Sequence, residues 1–222
     1  MPERSMTERR FTLLSVAEAQ RALYIDFEGV TGKPPVLLGT LRHRGRGAEP
    51  IVHQVVIDAT FVAAGPEARA FDAAIETAVE RATSQDRRIV AWSEHELNLV
   101  RSLVSDTMLI ARFESRYANA RALAQRWTNK LHPDERPAGG RLVDYLAWIG
   151  YEVPPGAGRG NVGDTIRALR PTLEGGRPLT ANQRQKWARL LQHNRYDCDG
   201  MRAVCLRAAQ ELERDAQAPG LA

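Results

Sequence analysis

The stretch Leu23-Tyr24-Ile25-Asp26-Phe27-Glu28-Gly29-Val30 is a short apolar run that carries two carboxylates two residues apart and closes on a glycine. Side chains on a strand alternate between faces, so Asp26 and Glu28 point one way while Ile25 and Phe27 point into the opposite layer. Burying one carboxylate beside another is costly unless a cation lies between them or one is protonated. Two acids on one face of a strand therefore suggest a divalent-metal site. The competing reading is an edge strand with its acids in water.

The chain has 222 residues, 43% hydrophobic and 26% charged, which is the composition of a soluble globular protein. That length suits a single domain, expected over residues 11–215, with residues 1–10 and 216–222 as flexible ends. The net charge is +4, and arginine supplies nearly all the positive charge, since Lys33, Lys130 and Lys186 are the only lysines. Arginine favours bidentate phosphate contacts and so points to a polyanionic partner, although a compositional bias of the genome gives the same pattern. Cys198 and Cys205 lie seven residues apart in a helical pattern, too far to bridge within a straight helix, and neither belongs to a Cys/His cluster with zinc spacing. Met1-Pro2-Glu3-Arg4-Ser5 lacks the apolar core of a signal peptide, and no apolar run approaches membrane-spanning length. The expectation is a cytoplasmic protein with no membrane role.

Around the opening stretch, the pattern predicts a first strand over 21–30, a turn at Pro34-Pro35, a second strand over 36–41 and a third over 51–58. The short connections make these an antiparallel meander. The basic turn Arg42-His43-Arg44-Gly45-Arg46 reads equally as a contact for a nucleic-acid backbone or as a solvated hairpin tip. Pro66 opens a helix through residue 84, with Phe71, Ile75 and Val79 as its apolar stripe. A fourth strand over 87–92 is apolar enough at Ile89-Val90-Ala91-Trp92 to be central. Ser93 caps a helix over 94–104, and Ser105-Asp106 caps a helical stretch running to 129. Leu142-Val143-Asp144-Tyr145 reads as a short fifth strand or as the start of a helix. Residues 132–178 are rich in Gly and Pro, with a short helix at 164–169, and a long helical pattern runs from 180 to 216. This order predicts an α/β protein whose mixed sheet combines a three-strand antiparallel meander with parallel strands and carries helices on both faces. It resembles the RNase-H-like order, with the first strand central and the fourth beside it.

Two further places supply acids to the same region. Trp92-Ser93-Glu94-His95-Glu96 sits at the end of the fourth strand, where open α/β sheets keep their sites. Glu96 lies in the first helical turn and can face the first strand. An acid stabilising a helix N-terminus is the other reading, and Glu94, nearest the cap, fits that better. The second place is His193-Asn194-Arg195-Tyr196-Asp197-Cys198-Asp199 in the last helix. Leu190, His193, Met201, Val204 and Ala208 lie at −7, −4, +4, +7 and +11 from Asp197, which puts Asp197 on an inward apolar face. Asp199 is roughly 200° further around the helix and faces elsewhere. An inward acid needs a partner, either an arginine or a metal.

Tyr-Ile-Asp-Phe-Glu-Gly at 24–29, an acid after the fourth strand, and His-Asn-Arg-Tyr-Asp-Cys-Asp at 193–199 together resemble the three motifs of the DEDD exonuclease superfamily. The nearest resemblance is to its YprB-like ribonuclease-H-like branch, over residues 21–210. It implies a two-metal phosphodiesterase, a 3'-5' exonuclease acting on DNA or RNA with two Mg²⁺ or Mn²⁺ ions. Asp26 and Glu28 match the first two metal ligands, with Asp26 the natural bridge between ions. Glu96 matches the motif-two acid, usually Asp, and Asp197 matches the closing ligand. His193 stands where the family has the tyrosine of its Tyr-x-x-x-Asp form, so the water-activating group departs from the pattern.

Two other functions fit parts of the sequence. A catalytically inactive RNase-H-like module would bind nucleic acid or a protein partner without cleaving it. A haloacid-dehalogenase-type phosphatase is suggested by Asp26-Phe27-Glu28-Gly29 with Val162-Gly163-Asp164-Thr165, but position 28 is Glu where such enzymes carry Asp. Asp144 reads as a helix cap in preference to an extra ligand. Trp127, Trp148 and Trp187 read as core in preference to base-stacking platforms.

Overall fold

The computed structural model describes residues 14–43, 45, 48–65, 67–152 and 161–218. Ser15 and Glu18 form a reciprocal capping box that starts helix α1 (Val16–Arg21), and Ala22 ends it with an extended backbone. The first strand β1 (Leu23–Glu28) therefore begins two residues later than the pattern predicts, because Arg21 closes a helix. It also ends before Gly29 and Val30. Strands β2 (Leu37–Arg42) and β3 (Ile51–Val56) follow, each pairing antiparallel with the one before. Arg44 and Arg46 lie outside the described residues, as does Pro66. A 3-10 turn (Ala59–Ala64), capped by Asp58, leads to helix α2 (Phe71–Ser84).

Strand β4 (Ile89–Ala91) lies parallel to β1, and Ser93 caps helix α3 (Glu94–Leu103). The stretch predicted as one helix to residue 129 is divided. Helix α4 (Thr107–Arg116) ends at Tyr117, strand β5 (Tyr117–Asn119) pairs parallel with β4, and Asn119 caps helix α5 (Ala120–Leu131). Three residues are too few for an alternating pattern to register, and here tertiary pairing decides the backbone. The Arg88 guanidinium also donates to the Tyr117 carbonyl. Leu142-Val143-Asp144-Tyr145 belongs to a helix, α6 (Leu142–Trp148), and the predicted helix at 164–169 extends over α7 (Val162–Glu174). Helix α8 (Ala181–Gln217) is continuous from a Thr180–Gln183 capping box. At 37 residues it spans about 55 Å.

The sheet is mixed, five-stranded and ordered β3-β2-β1-β4-β5, with helices on both faces. This is the expected fold class and is compatible with an RNase-H-like arrangement. Strand alternation divides the core. Leu23, Ile25, Leu38, Val55, Ile89 and Ala91 pack under α2, α3 and α4. Tyr24, Leu41, Val90 and Ala118 face α5, α6 and α8 on the other side. Trp127 and Trp187 are buried as core residues, the latter stacked on Phe61. Among the described residues, no helix is long and apolar enough to cross a membrane.

Two glycines let α8 approach closely. A Cβ on Gly39 would stand 1.8 Å from Oδ1 of Asn194, and one on Gly200 would stand 2.8 Å from Cδ1 of Leu146. The first contact is between α8 and the sheet, the second between α8 and α6. Both place the middle of α8 over the β1 acids.

Candidate metal centre

The alternation of β1 sends Phe27 against Phe71, with ring centroids 5.6 Å apart, and Ile25 into the α2–α4 core. Asp26 and Glu28 consequently face α8. Glu28 is 6% exposed, and its Oε1 is buried with no hydrogen-bond partner among the described residues. Helix periodicity brings Asp197 and His193 to the same point, one turn apart, with His193 Nε2 3.5 Å from Asp197 Oδ2. Ligand atoms of Glu28, His193 and Asp197 all lie within 4.8 Å of one another. Asp199, two residues on, points away and accepts a hydrogen bond from the Tyr151 hydroxyl at 2.7 Å. Of the two acids, Asp197 is the one that lies beside Glu28.

Asp26 is held beside this trio. Asn194 Nδ2 donates to its Oδ2 at 3.0 Å and to its main-chain oxygen at 3.2 Å. Burial raises the Asp26 carboxyl well above its ordinary range, and the nearby charges of Glu28, Asp197 and Glu96 push it the same way. The Asn194 hydrogen bond opposes them. Burial also raises Glu28, to about 7, with the His193 side chain opposing and Asp197 adding to the rise. Asp197 is raised by burial against the influence of His193. Three carboxyls that resist ionisation around one point form a site whose repulsion a cation would relieve.

Glu96 is different in kind. It is 7% exposed, yet its Oε2 accepts from Ser93 N at 3.2 Å and from Ser93 Oγ at 3.3 Å, closing a capping box. Glu94, expected to be the helix-terminal acid, is exposed, and Glu96 takes that role. Its charge still reaches Asp26, but it stands outside the Glu28–His193–Asp197 cluster.

The other singled-out residues do not join the centre. Asp144 caps α6, accepting from Arg141 N at 3.0 Å and pairing with the Arg141 guanidinium. Asp164 is exposed at the start of α7 and pairs with Arg167, while the charges bearing on Asp26 are Glu28, Asp197 and Glu96. His95 is exposed, and His132 bonds Glu211. A groove of about 210 Å³ between α6 and α8, lined by Leu142, Val143, Leu146 and Tyr196, opens onto His193 and Asp197.

Gly39 and Gln54 carry no signal in the motif spacing, and Asn194 lies inside the 193–199 motif beside His193 with no role expected for it. Asn194 is fully buried and unites α8 with the sheet. The available sign was Gly39, an isolated glycine in an apolar strand, which marks a close backbone approach.

The clustered donors, carboxylate oxygens of Glu28 and Asp197 with an orphaned buried oxygen on Glu28, suit a hard divalent ion, and Asp26 adds its charge from the same face of β1. The imidazole nitrogen of His193 shifts the fit from Mg²⁺ toward Mn²⁺ and softer ions. No protein-family model, curated protein or solved structure matches the chain.

Proposed function

We propose that the chain is a divalent-metal-dependent nuclease that hydrolyses phosphodiester bonds of DNA or RNA, with exonucleolytic 3'-5' action as the specific form. The observation that carries this reading is the meeting of Glu28, His193 and Asp197 within 4.8 Å, with Asp26 beside them on the same face of the central strand. Asp26, Glu28 and Asp197 would hold the divalent cation, Mg²⁺ or Mn²⁺. A bound divalent cation supplies charge compensation for a phosphate and acidifies water. His193, with Nε2 3.5 Å from Asp197 Oδ2, would either complete the ligand set or accept and return a proton beside it. The arginine-rich composition favours a polyanionic substrate. The reading includes the cytoplasm as the compartment.

A binding module without catalysis is the second reading, favoured by the commitment of Glu96 to its own helix cap. End-labelled single- and double-stranded DNA and RNA, incubated with Mg²⁺ or Mn²⁺, separate the two. The nuclease reading expects metal-dependent shortening of the label that Asp26→Asn abolishes while the circular dichroism spectrum is kept. Cleavage retained by Asp26→Asn would remove Asp26 from the machinery, and binding without cleavage by the wild type would establish the module.

A further inference from the structure

Asp26, Gly39 and Gln54 stand in one register across three strands: Asp26 faces Gly39 between β1 and β2, and Gly39 faces Gln54 between β2 and β3. Asn194 lies over Gly39 and spans the row. Its Nδ2 donates to Oδ2 and to the main-chain oxygen of Asp26, and its Oδ1 accepts from Gln54 Nε2 at 3.0 Å. Gln54 Nε2 also donates to the main-chain oxygen of Leu191 at 2.6 Å.

The direction of this chain of hydrogen bonds is set at its far end. A main-chain carbonyl only accepts, so the Leu191 oxygen draws the amino group of Gln54 toward α8. That amino group requires an acceptor from Asn194, which turns its oxygen to Gln54 and its own amino group to Asp26. Both Asp26 atoms that receive it are acceptors. Turning over either amide would set oxygen against oxygen in a largely water-free place, which disfavours the reversed arrangement. A side chain at position 39 would occupy the space Asn194 needs.

We propose that Gln54 and Asn194 form a cross-sheet relay that positions the Asp26 carboxylate for cation binding. This rests on the reading of Asp26 as a metal ligand. One oxygen of Asp26 is held by an N–H, so the rotation of the carboxylate is restrained. Gln54 and Asn194 are positioning residues, acting through Asp26. Partners of ligands contribute roughly 10–100-fold to metal affinity.

The test is a Mn²⁺ titration of the full chain, followed by the electron paramagnetic resonance signal of the free ion. Gln54→Glu is the informative variant because it conserves shape while two effects take opposite signs. By charge alone, an added carboxylate near a cation site tightens binding. In the relay, a carboxylate at position 54 recruits the amino group of Asn194 and turns its oxygen toward Asp26, which weakens binding. The expected result is wild-type binding, with Gln54→Glu weakened roughly 10–100-fold and Asn194→Leu weakened likewise, both with wild-type circular dichroism and with a loss of folded protein, read by melting, far smaller than the loss of Mn²⁺ uptake. Should Asn194→Leu not fold, Gln54→Glu on the partly exposed β3 position decides. Gln54→Glu binding as tightly as wild type or tighter overturns the relay, as does a weakening that merely tracks lost folded protein. If the wild type itself takes up no Mn²⁺, the metal reading fails and the relay falls with it.

Discussion

Asn194 fills the place where a side chain of residue 39 would be: its Oδ1 lies 1.8 Å from the Cβ position that Gly39 lacks. The absent side chain is what lets α8 descend onto β2 and carry His193 and Asp197 to the acids of β1. One glycine thereby couples the packing of a helix to the assembly of the candidate metal centre.

Gly39→Ala should therefore act on both. Overpacking of this kind costs about 1–3 kcal/mol, read as a lower urea midpoint with an unchanged slope. Mn²⁺ uptake should fall more than the lost folded fraction accounts for. An alanine variant with wild-type stability and wild-type Mn²⁺ uptake would show that α8 has room to spare.

The carboxyl cluster predicts an unusual dependence of stability on pH. Glu28 holds its proton more tightly in the folded chain, up to about 7, than in the unfolded chain, where it titrates near 4.5. The folded state then binds more protons across that window, so the contribution of Glu28 to stability falls as pH rises from about 4.5 to about 7 and levels off above, while the raised Asp26 and Asp197 carboxyls act in the same direction. The loss at pH 8 is on the order of 3 kcal/mol. Glu28→Gln should flatten the fall, and Mn²⁺ should restore wild-type stability at pH 8. Denaturant melts at pH 5 and pH 8 measure both. A wild type more stable at pH 8 than at pH 5 without metal would contradict the burial of these acids.

Glu96 separates its two roles under conservative substitution. Glutamine closes a capping box as glutamate does, so Glu96→Gln should keep both melting temperature and Mn²⁺ affinity. Ser93→Ala, which removes the reciprocal partner, should cost about 1 kcal/mol. A loss of Mn²⁺ binding in Glu96→Gln at unchanged stability would make Glu96 a ligand after all.

Asp197 and Asp199 offer an internal control two residues apart. Asp197→Asn should sharply weaken Mn²⁺ uptake, while Asp199→Asn, which keeps an acceptor for the Tyr151 hydroxyl, should leave it unchanged. Equal effects from the two would mean that the metal lies elsewhere on α8.

Features that depend on local period are legible before the chain folds. A step of two along 23–28 puts Asp26 and Glu28 on one face, and a step of four along α8 puts His193 and Asp197 on one line facing inward. The order of strands and helices likewise predicts the mixed sheet with β1 between β2 and β4. Tertiary structure alone decided the rest. β5 is three residues whose extended backbone depends on pairing with β4, so no local pattern announces it. Glu96 has a residue type and position that suit a ligand and a cap equally, and only the placement of Ser93 N and Oγ around its oxygen distinguishes them. Asn194 meets Asp26 across 168 residues of chain and Gln54 across 140. Hydrogen bonds between side chains so far apart leave no periodicity in either segment, because each partner satisfies its own strand or helix equally well with or without the other.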